Sequence, residues 1–182
     1  MGDLRFRWAD DSDVDAVVTL VESAYRGDAS RAGWTHEADL VGGRRIDAAT
    51  LRSQMATGTQ VRLAEAGTAL EGCCALRVDA DATDRADAGR VVAFGMFAVV
   101  PTRQARGTGS LLLADAVRVA GDEWGAATLA LDVIDVRAEL IAWYERRGYA
   151  LTGETEPWPY DDPGIGVPTR PDLGFVVMEK IL

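Results

Sequence analysis

One stretch near the middle of the sequence, VVPTRQARGTGSLLLADAVRVA from Val99 to Ala120, restricts the fold more than any other. Its β-branched start runs into a proline, which predicts the end of a strand. A loop with two arginines, a glutamine and two glycines follows, and an apolar-periodic helix begins directly after it. The chain must therefore place a strand end, a glycine-rich loop and a helix start side by side, as α/β folds do.

The glycine-rich loop is typical of a site for a phosphate or pyrophosphate. A helix start presents unpaired backbone N–H groups and the positive end of the helix dipole, and Arg103 and Arg106 add positive charge. A plain surface turn is the alternative when the loop is considered alone. The Walker pattern is excluded because no Gly-Lys-Ser/Thr follows. The dinucleotide fingerprint is excluded because its third glycine is missing.

Hydrophobic periodicity predicts strands and helices along the whole chain. The predicted strands cover residues 4–9, two segments joined at Gly67, and residues 90–100, 127–134, 149–154 and 173–182. The predicted helices are one capped by Asp11 and Ser12, a short one at 48–55, one ending near Gly121, and one at 137–147 stopped by Gly148. Residues 26–45 and 157–171 are predicted loops, and residues 79–89 a polar hairpin tip. This order predicts one domain, residues 1–182, with a mixed α/β sheet and helices on its faces.

Two stretches together resemble the GCN5-related N-acetyltransferase (GNAT) superfamily. FAVVPTRQARGTGSLLL contains the pattern Q-x-x-G-x-G, formed by Gln104, Gly107 and Gly109, and resembles that superfamily's acetyl-CoA pyrophosphate loop. LALDVIDVRAELIAWYERRGYALTGE resembles the strand, helix and Gly-Phe/Tyr turn that follow it. The order of elements agrees too, so the resemblance covers essentially the full length. It implies a GNAT-like α/β fold: a single mixed, mostly antiparallel sheet of about seven strands with helices on both faces.

The resemblance implies acetyl-CoA as co-substrate and assigns residues to it. Backbone groups of Phe97, Ala98 and Val99 would pair with the pantetheine arm as with an added strand. Backbone N–H groups of the loop would surround the pyrophosphate; these belong to Gln104, Ala105, Arg106, Gly107, Thr108, Gly109 and Ser110. Arg137 stands where the superfamily frequently has Asn. This departure calls the superfamily's usual side-chain contact to the pantetheine region into question, and the Arg137 guanidinium could instead reach a CoA phosphate.

Acetyl transfer to an amine requires an unprotonated nucleophile, a polarised thioester carbonyl and a stabilised thiolate. The resemblance implies that a backbone N–H near Val99 binds the carbonyl and that the Tyr144 hydroxyl protonates the departing thiolate. Core packing is the alternative role for Tyr144. Glu37, His36 and Asp132 are the candidate general bases, and a water chain without a single base is the alternative to all three.

Aromatic side chains in loops predict an acceptor pocket, with Trp34, Trp158 and Tyr160 beside Glu37 as its candidate residues. Covering the core is the alternative role for these aromatics. The formal net charge of −10 argues against a dedicated nucleic-acid-binding protein. By electrostatic steering, that charge favours a cationic acceptor, such as an amine or a basic peptide end. The residues do not separate a small-molecule amine from a protein amino group.

The predicted function is direct acetyl transfer from acetyl-CoA to a primary amine in a ternary complex. The alternatives are a non-catalytic acyl-CoA sensor on the same fold, an acyltransferase that uses a longer acyl-CoA, and a nucleotide-binding protein of another fold. We expect a homodimer to be possible through an exposed final strand.

The cysteines, the single histidine and the hydropathy of the chain bear on disulfides, metal binding and cellular location. Cys73 and Cys74 would point to opposite faces of a strand, which makes a disulfide between them unfavourable. A single histidine leaves a His/Cys metal site almost without ligands. No apolar run approaches the ~20 residues of a membrane-spanning helix. We therefore expect no metal, no membrane contact and a cytoplasmic location.

Overall fold

The computed structural model describes residues 4–79, 89–161 and 163–182. Its helices are α1 (Val14–Tyr25), α2 (Gly27–Ser30), α3 (Ala48–Ala56), α4 (Thr108–Arg118), which a π-helical turn extends through Val119–Glu123, and α5 (Ala138–Glu145). The strands are β1 (Leu4–Trp8), β2 (Val41–Gly42), β3 (Gln60–Ala66), β4 (Ala69–Val78), β5 (Val91–Val99), β6 (Thr128–Ile134), β7 (Ala150–Pro157), β8 (Val167–Pro168) and β9 (Gly174–Ile181).

Seven of the strands form one sheet in the order β1-β3-β4-β5-β6-β9-β7, while β2 and β8 pair separately. Every neighbouring pair in the large sheet is antiparallel except β5 and β6. The predicted fold class, a mixed and mostly antiparallel sheet of about seven strands, is confirmed.

Two apolar clusters cover the two faces of this sheet. One joins α4 and α5 to β5, β6 and β9, and the other joins α1 and α3 to β3 and β5. Cys73 belongs to the second cluster and Cys74 to the first, and both thiols are free and buried. The prediction that these neighbours point to opposite faces is therefore confirmed, because successive side chains of a strand alternate.

The capping residue differs from the prediction by one or two positions. A 3-10 turn, Asp11–Asp13, precedes α1, and its cap is Asp10, whose carboxylate accepts the Ser12 N–H and which forms a capping box with Asp13. The segment 26–45 contains the short elements α2 and β2, and the predicted hairpin tip at 79–89 lies outside the described residues except for its two ends.

The last strand, β9, lies inside the sheet. This differs from the expectation that the final strand is exposed. β9 pairs with β6 on one side and with β7 on the other, whereas β7 lies at the edge and all eight of its residues are exposed. The chain reaches the edge first, in β7, and then returns to fill the position beside β6. The final strand is therefore unavailable as a dimer edge.

The sheet splits between β5 and β6. These strands share only three residue pairs, from Val91 with Thr128 to Ala93 with Ala130. On its other side β5 carries a bulge. Ala75 pairs with Gly95 and Cys73 pairs with Ala98, so between these two pairs β5 has two residues where β4 has one. Met96, inside this bulge, has a φ of 46°. The bulge bends β5 away from β6 and opens a cleft between them.

Candidate active site

The split between β5 and β6 opens into a cavity of about 560 Å³. Most of the candidate residues line it: Trp34, His36, Glu37, Phe97, Ala98, Val99, Gln104, Ala105, Gly107, Gly109, Ser110, Asp132, Arg137, Tyr144 and Trp158. Arg106, Thr108 and Tyr160 are not part of the lining. The fold thus brings residues from widely separated parts of the sequence to one cavity.

The loop before α4 offers a row of unused backbone donors. The N–H groups from Ala105 to Ser110 donate to none of the residues that the structure describes, and the first bond of the helix runs from the Leu111 N–H to the Gly107 carbonyl. Gly107 has a φ of 95°, a conformation that glycine adopts without strain. Six consecutive free donors at a helix start suit a diphosphate.

For three of the residues assigned to this loop, the structure changes or adds to the expected role. The Gln104 N–H donates to the carbonyls of Val100 and Pro101, so the free donors begin one residue later. The Thr108 hydroxyl donates to the buried Glu71 carboxylate at 3.4 Å and so ties the loop to β4. The Arg106 side chain is exposed outside the cavity.

Arg147 adds a positive charge to this end of the cavity, and sequence reasoning missed it. Its guanidinium lies 3.5 Å from the centre of the Trp143 ring and donates to the Ser110 hydroxyl at 2.8 Å. Burial, together with the neighbouring Arg146, lowers the pKa of Arg147. No carboxylate among the described residues pairs with it, so its charge is available to an anion in the loop.

Tyr144 fits both roles that its sequence position allows. It is 4% exposed, and its ring packs edge-on against Trp143 and Tyr149. Its side chain also lines the cavity, and its hydroxyl makes no hydrogen bond to a described residue. Burial raises the pKa of Tyr144 well above its usual value. The hydroxyl therefore keeps its proton at neutral pH and can donate it to a developing anion.

Tyr25, at the end of α1, is a second tyrosine in the lining. Its hydroxyl donates to the Phe97 carbonyl at 2.9 Å, and burial raises its pKa to about 12. Helical periodicity identifies Tyr25 only as one residue of the apolar face of α1. Its contact with β5 depends on how α1 packs on the sheet, so local sequence contained no signal for it.

Glu37 is held between two arginines. One carboxylate oxygen accepts from Arg26 at 2.7 Å and the other from Arg137 at 2.8 Å, and all three side chains are nearly buried. Arg137 also donates to the Thr35 hydroxyl at 2.6 Å. This arrangement fixes the segment that covers one end of the cavity. It directs Arg137 toward that segment and away from the donor loop.

The other candidate bases differ in how they are paired. His36 Nε2 lies 4.0 Å from Asp39, and its Nδ1 is buried without a partner among the described residues. Asp132 forms no ion pair within the described part of the chain. The Asp132 side chain is exposed, but partial desolvation beside the strand, followed by the charges of Glu156 and Asp79, raises its pKa. Asp132 is thus the unpaired carboxylate of the lining, because the oxygens of Glu37 are already engaged.

The predicted acceptor aromatics lie at different depths. Trp158 is buried and stacks on Phe175 with ring centres 5.1 Å apart. Trp34 is 40% exposed at the rim, and Tyr160 lies outside the cavity, where its hydroxyl accepts from the Leu173 N–H.

The Gln104 side chain joins the donor loop to the segment that covers the cavity. Its Oε1 accepts from the Thr35 N–H and its Nε2 donates to the Val99 carbonyl, both at 3.4 Å. Gly33 packs so closely on this amide that a Cβ would lie 2.4 Å from the Gln104 Oε1. The donor loop and the segment that covers the cavity therefore contact each other at the Gln104 amide.

A mixed sheet split beside a loop of free amides is the arrangement of an acyl-CoA-dependent transferase fold. The model of the Acetyltransferase (GNAT) family matches residues 19–149. The chain belongs to this family, which confirms the resemblance seen in its two motifs. No curated protein sequence matches the chain.

Solved structures with the same fold have low sequence identity. YncA from Salmonella typhimurium, solved with its cofactor acetyl-CoA, is 20% identical with a TM-score of 0.68, covering 100% of this chain and 95% of its own. The ribosomal-protein-S18-alanine N-acetyltransferase from Escherichia coli is 16% identical with a TM-score of 0.68, covering 98% and 94%. A GNAT family acetyltransferase from Elizabethkingia anophelis with acetyl-CoA bound is 18% identical with a TM-score of 0.54, covering 72% and 82%.

The described residues contain neither a membrane-spanning helix nor a cluster of metal ligands. Within 4–79, 89–161 and 163–182, no helix has the length and apolar character needed to cross a bilayer. In the same ranges, no three His, Cys, Asp or Glu side chains converge as metal ligands would.

Proposed function

We propose that this protein is an acetyl-CoA-dependent N-acetyltransferase, a single domain over residues 1–182 that transfers the acetyl group directly to a primary amine in a ternary complex. The observation that carries the proposal is the row of free amides from Ala105 to Ser110 beside the cleft between β5 and β6. Family membership and the acetyl-CoA bound in two related structures support it.

The donor loop and the cleft bind different parts of the cofactor. The free amides and Arg147 bind the pyrophosphate. The pantetheine arm lies against the β5 backbone at Phe97, Ala98 and Val99, where β6 no longer pairs with it. The N–H groups on this side of β5 hydrogen-bond the extended arm and polarise the thioester carbonyl. Arg137 is paired with Glu37. It therefore orients the acceptor segment and does not bind a CoA phosphate.

The chemistry is an attack of the amine nitrogen on the thioester carbonyl carbon. The C–S bond breaks as the C–N bond forms, and Tyr144 donates its proton to the departing thiolate. The amine must lose a proton, and Asp132 is the favoured acceptor because it is unpaired and its pKa is raised. Glu37 and His36 position the acceptor segment, and a water chain is the alternative route for the amine proton.

A binding measurement and an activity measurement test this proposal separately. We expect CoA and acetyl-CoA, but not ATP, to raise the melting temperature. We also expect thiol release with a panel of amines. Stabilisation by longer acyl-CoAs alone would instead indicate a different donor, and binding without thiol release would indicate a sensor. The absence of any CoA binding would refute the proposal.

Replacing Tyr144 by Phe tests the proton donor. Loss of a general acid lowers kcat by about 100-fold or more, while the acetyl-CoA affinity stays the same because the ring still packs. Tyr149→Phe is the matched control, since its ring contacts Tyr144 but does not line the cavity. Wild-type turnover in Tyr144→Phe would show that this residue only packs.

The acceptor partner is proposed to be a small-molecule amine or a protein amino group. The alanine acceptor named for the Escherichia coli relative supports an amine. A cytoplasmic location and a homodimer remain proposals, to be tested by fractionation and by light scattering.

A further inference from the structure

The far end of the cavity, away from the donor loop, carries more cations than the net charge of the protein suggests. Arg26, Arg45 and Arg137 line it, and the single negative charge of Glu37 is shared between Arg26 and Arg137. The chain as a whole has a net charge of −10. The local charge is thus opposite to the bulk charge from which a cationic acceptor was expected.

Arg45 is the cation left without an acid. Its guanidinium lies 5.4 Å from the centre of the Tyr25 ring and forms no ion pair or hydrogen bond with a described residue. The Glu22 carboxylate accepts from the backbone N–H groups of Arg45 and Ile46, so it fixes this segment without reaching the guanidinium. A half-buried guanidinium in a cavity wall without an acid suits an anionic group of a ligand.

Trp158 provides a second, independent indication that the ligand carries a hydrogen-bond acceptor. It is 4% exposed and lines the cavity, yet its Nε1 has no partner among the described residues. An indole N–H can only donate. Buried donors are nearly always satisfied, so this one calls for an acceptor outside the described chain, a role that an oxygen atom of a ligand can fill.

Other groups of the same cavity suit the rest of such a ligand. Asp132 is an unpaired carboxylate in the lining and suits an ammonium group. Trp158, Phe175 and Ile165 belong to one apolar cluster that also lines the cavity. An apolar side chain can pack there.

Resting on the proposed function, we propose that the acceptor is an amine that also carries a carboxylate, of the α-amino acid class with an apolar side chain. Arg45 binds the carboxylate, the Trp158 N–H hydrogen-bonds one of its oxygens, and Asp132 faces the amine that is acetylated.

The test compares acceptors that differ only at the carboxylate. Thiol release is measured with L-leucine, L-leucinamide and 3-methylbutylamine, and the series is repeated with L-phenylalanine and its amide. We expect kcat/KM for the acid to exceed that for the amide by about tenfold or more, the size typical of a charged hydrogen bond. Amines accepted equally well without the carboxylate would overturn the inference and leave the proposed function intact.

Arg45→Gln should remove this preference, so that the ratio of kcat/KM for acid over amide falls about tenfold, the range of one charged hydrogen bond. The KM for acetyl-CoA should stay constant, and Arg45→Lys should keep part of the preference. Arg44→Gln is the matched control, because this neighbour is 69% exposed and pairs weakly with Asp47. An unchanged ratio in a folded Arg45→Gln would refute the role of Arg45.

The two proposals fail in different ways. Absence of both CoA binding and thiol release, with every amine tested, would overturn the proposed function and this inference with it. Thiol release that is fastest with cationic amines or basic peptides would overturn the inference alone. Calorimetric binding of L-leucine in the presence of CoA gives a readout that does not depend on turnover, and we expect Arg45→Gln to weaken it.

Discussion

Removing the Glu37 carboxylate should destabilise the protein far more than removing a neighbouring surface carboxylate. In Glu37→Ala, the guanidiniums of Arg26 and Arg137 lose their shared partner while their side chains stay only 7% and 12% exposed. Breaking a buried ion pair by removing one partner costs about 3–5 kcal/mol, because the other charge stays buried without compensation. We therefore expect the free energy of unfolding to fall by about 4 kcal/mol.

The control is in the same segment. Asp39 pairs with Arg31 at 2.6 Å, but these side chains are 61% and 48% exposed. Exposed pairs contribute at most about 1 kcal/mol, so Asp39→Ala should be nearly neutral.

Urea unfolding followed by tryptophan fluorescence measures both variants. For a chain of this length, a loss of 4 kcal/mol corresponds to a melting temperature lower by about 8–16 °C. Replacing Arg26, Glu37 and Arg137 together by apolar residues of similar volume should recover most of the loss. If Glu37→Ala cost no more than Asp39→Ala, the ion-pair arrangement would not fix this segment.

Two further predictions use titratable groups whose pKa values are raised. Asp132 has a raised pKa in the folded protein, so it favours folding below its unfolded pKa and opposes folding as pH rises through the folded value. Asp132→Asn should therefore raise the melting temperature at pH 7, and the gain should vanish below about pH 4; an equal gain at pH 3 would contradict this. Burial raises the pKa of Cys73 to about 12 and that of Cys74 well above its usual value. Neither thiol should react with a disulfide reagent at pH 8 until urea unfolds the chain, and fast native labelling would be inconsistent with their burial.

The donor loop was predictable because its signals are local. A proline, two glycines and an apolar-periodic helix occur within one short stretch, and each acts on backbone conformation regardless of the rest of the fold. The opposite orientations of Cys73 and Cys74 were predictable for the same reason, since strand alternation is a property of neighbours.

The residues that complete the cavity were not predictable, because their contacts are tertiary. Tyr25, Arg45 and Arg147 read as ordinary helix or loop residues. Only the packing of α1, α5 and the segment before α3 brings them to the cleft. The position of β9 between β6 and β7 depends on the order of strands, which no local pattern encodes. The bulge in β5 had one available signal, the isolated glycine at position 95.

The contact between Gln104 and Gly33 limits how proteins of this kind could diverge. The segment from residue 26 to residue 45 forms much of the acceptor end, so changes in substrate would accumulate there. Gly33 and Thr35 nevertheless contact a glutamine of the cofactor loop, and a side chain at position 33 would move the Gln104 amide out of its bonds to Thr35 and Val99. Substitutions on either side of this contact keep those bonds, so a change of acceptor can leave the cofactor loop intact.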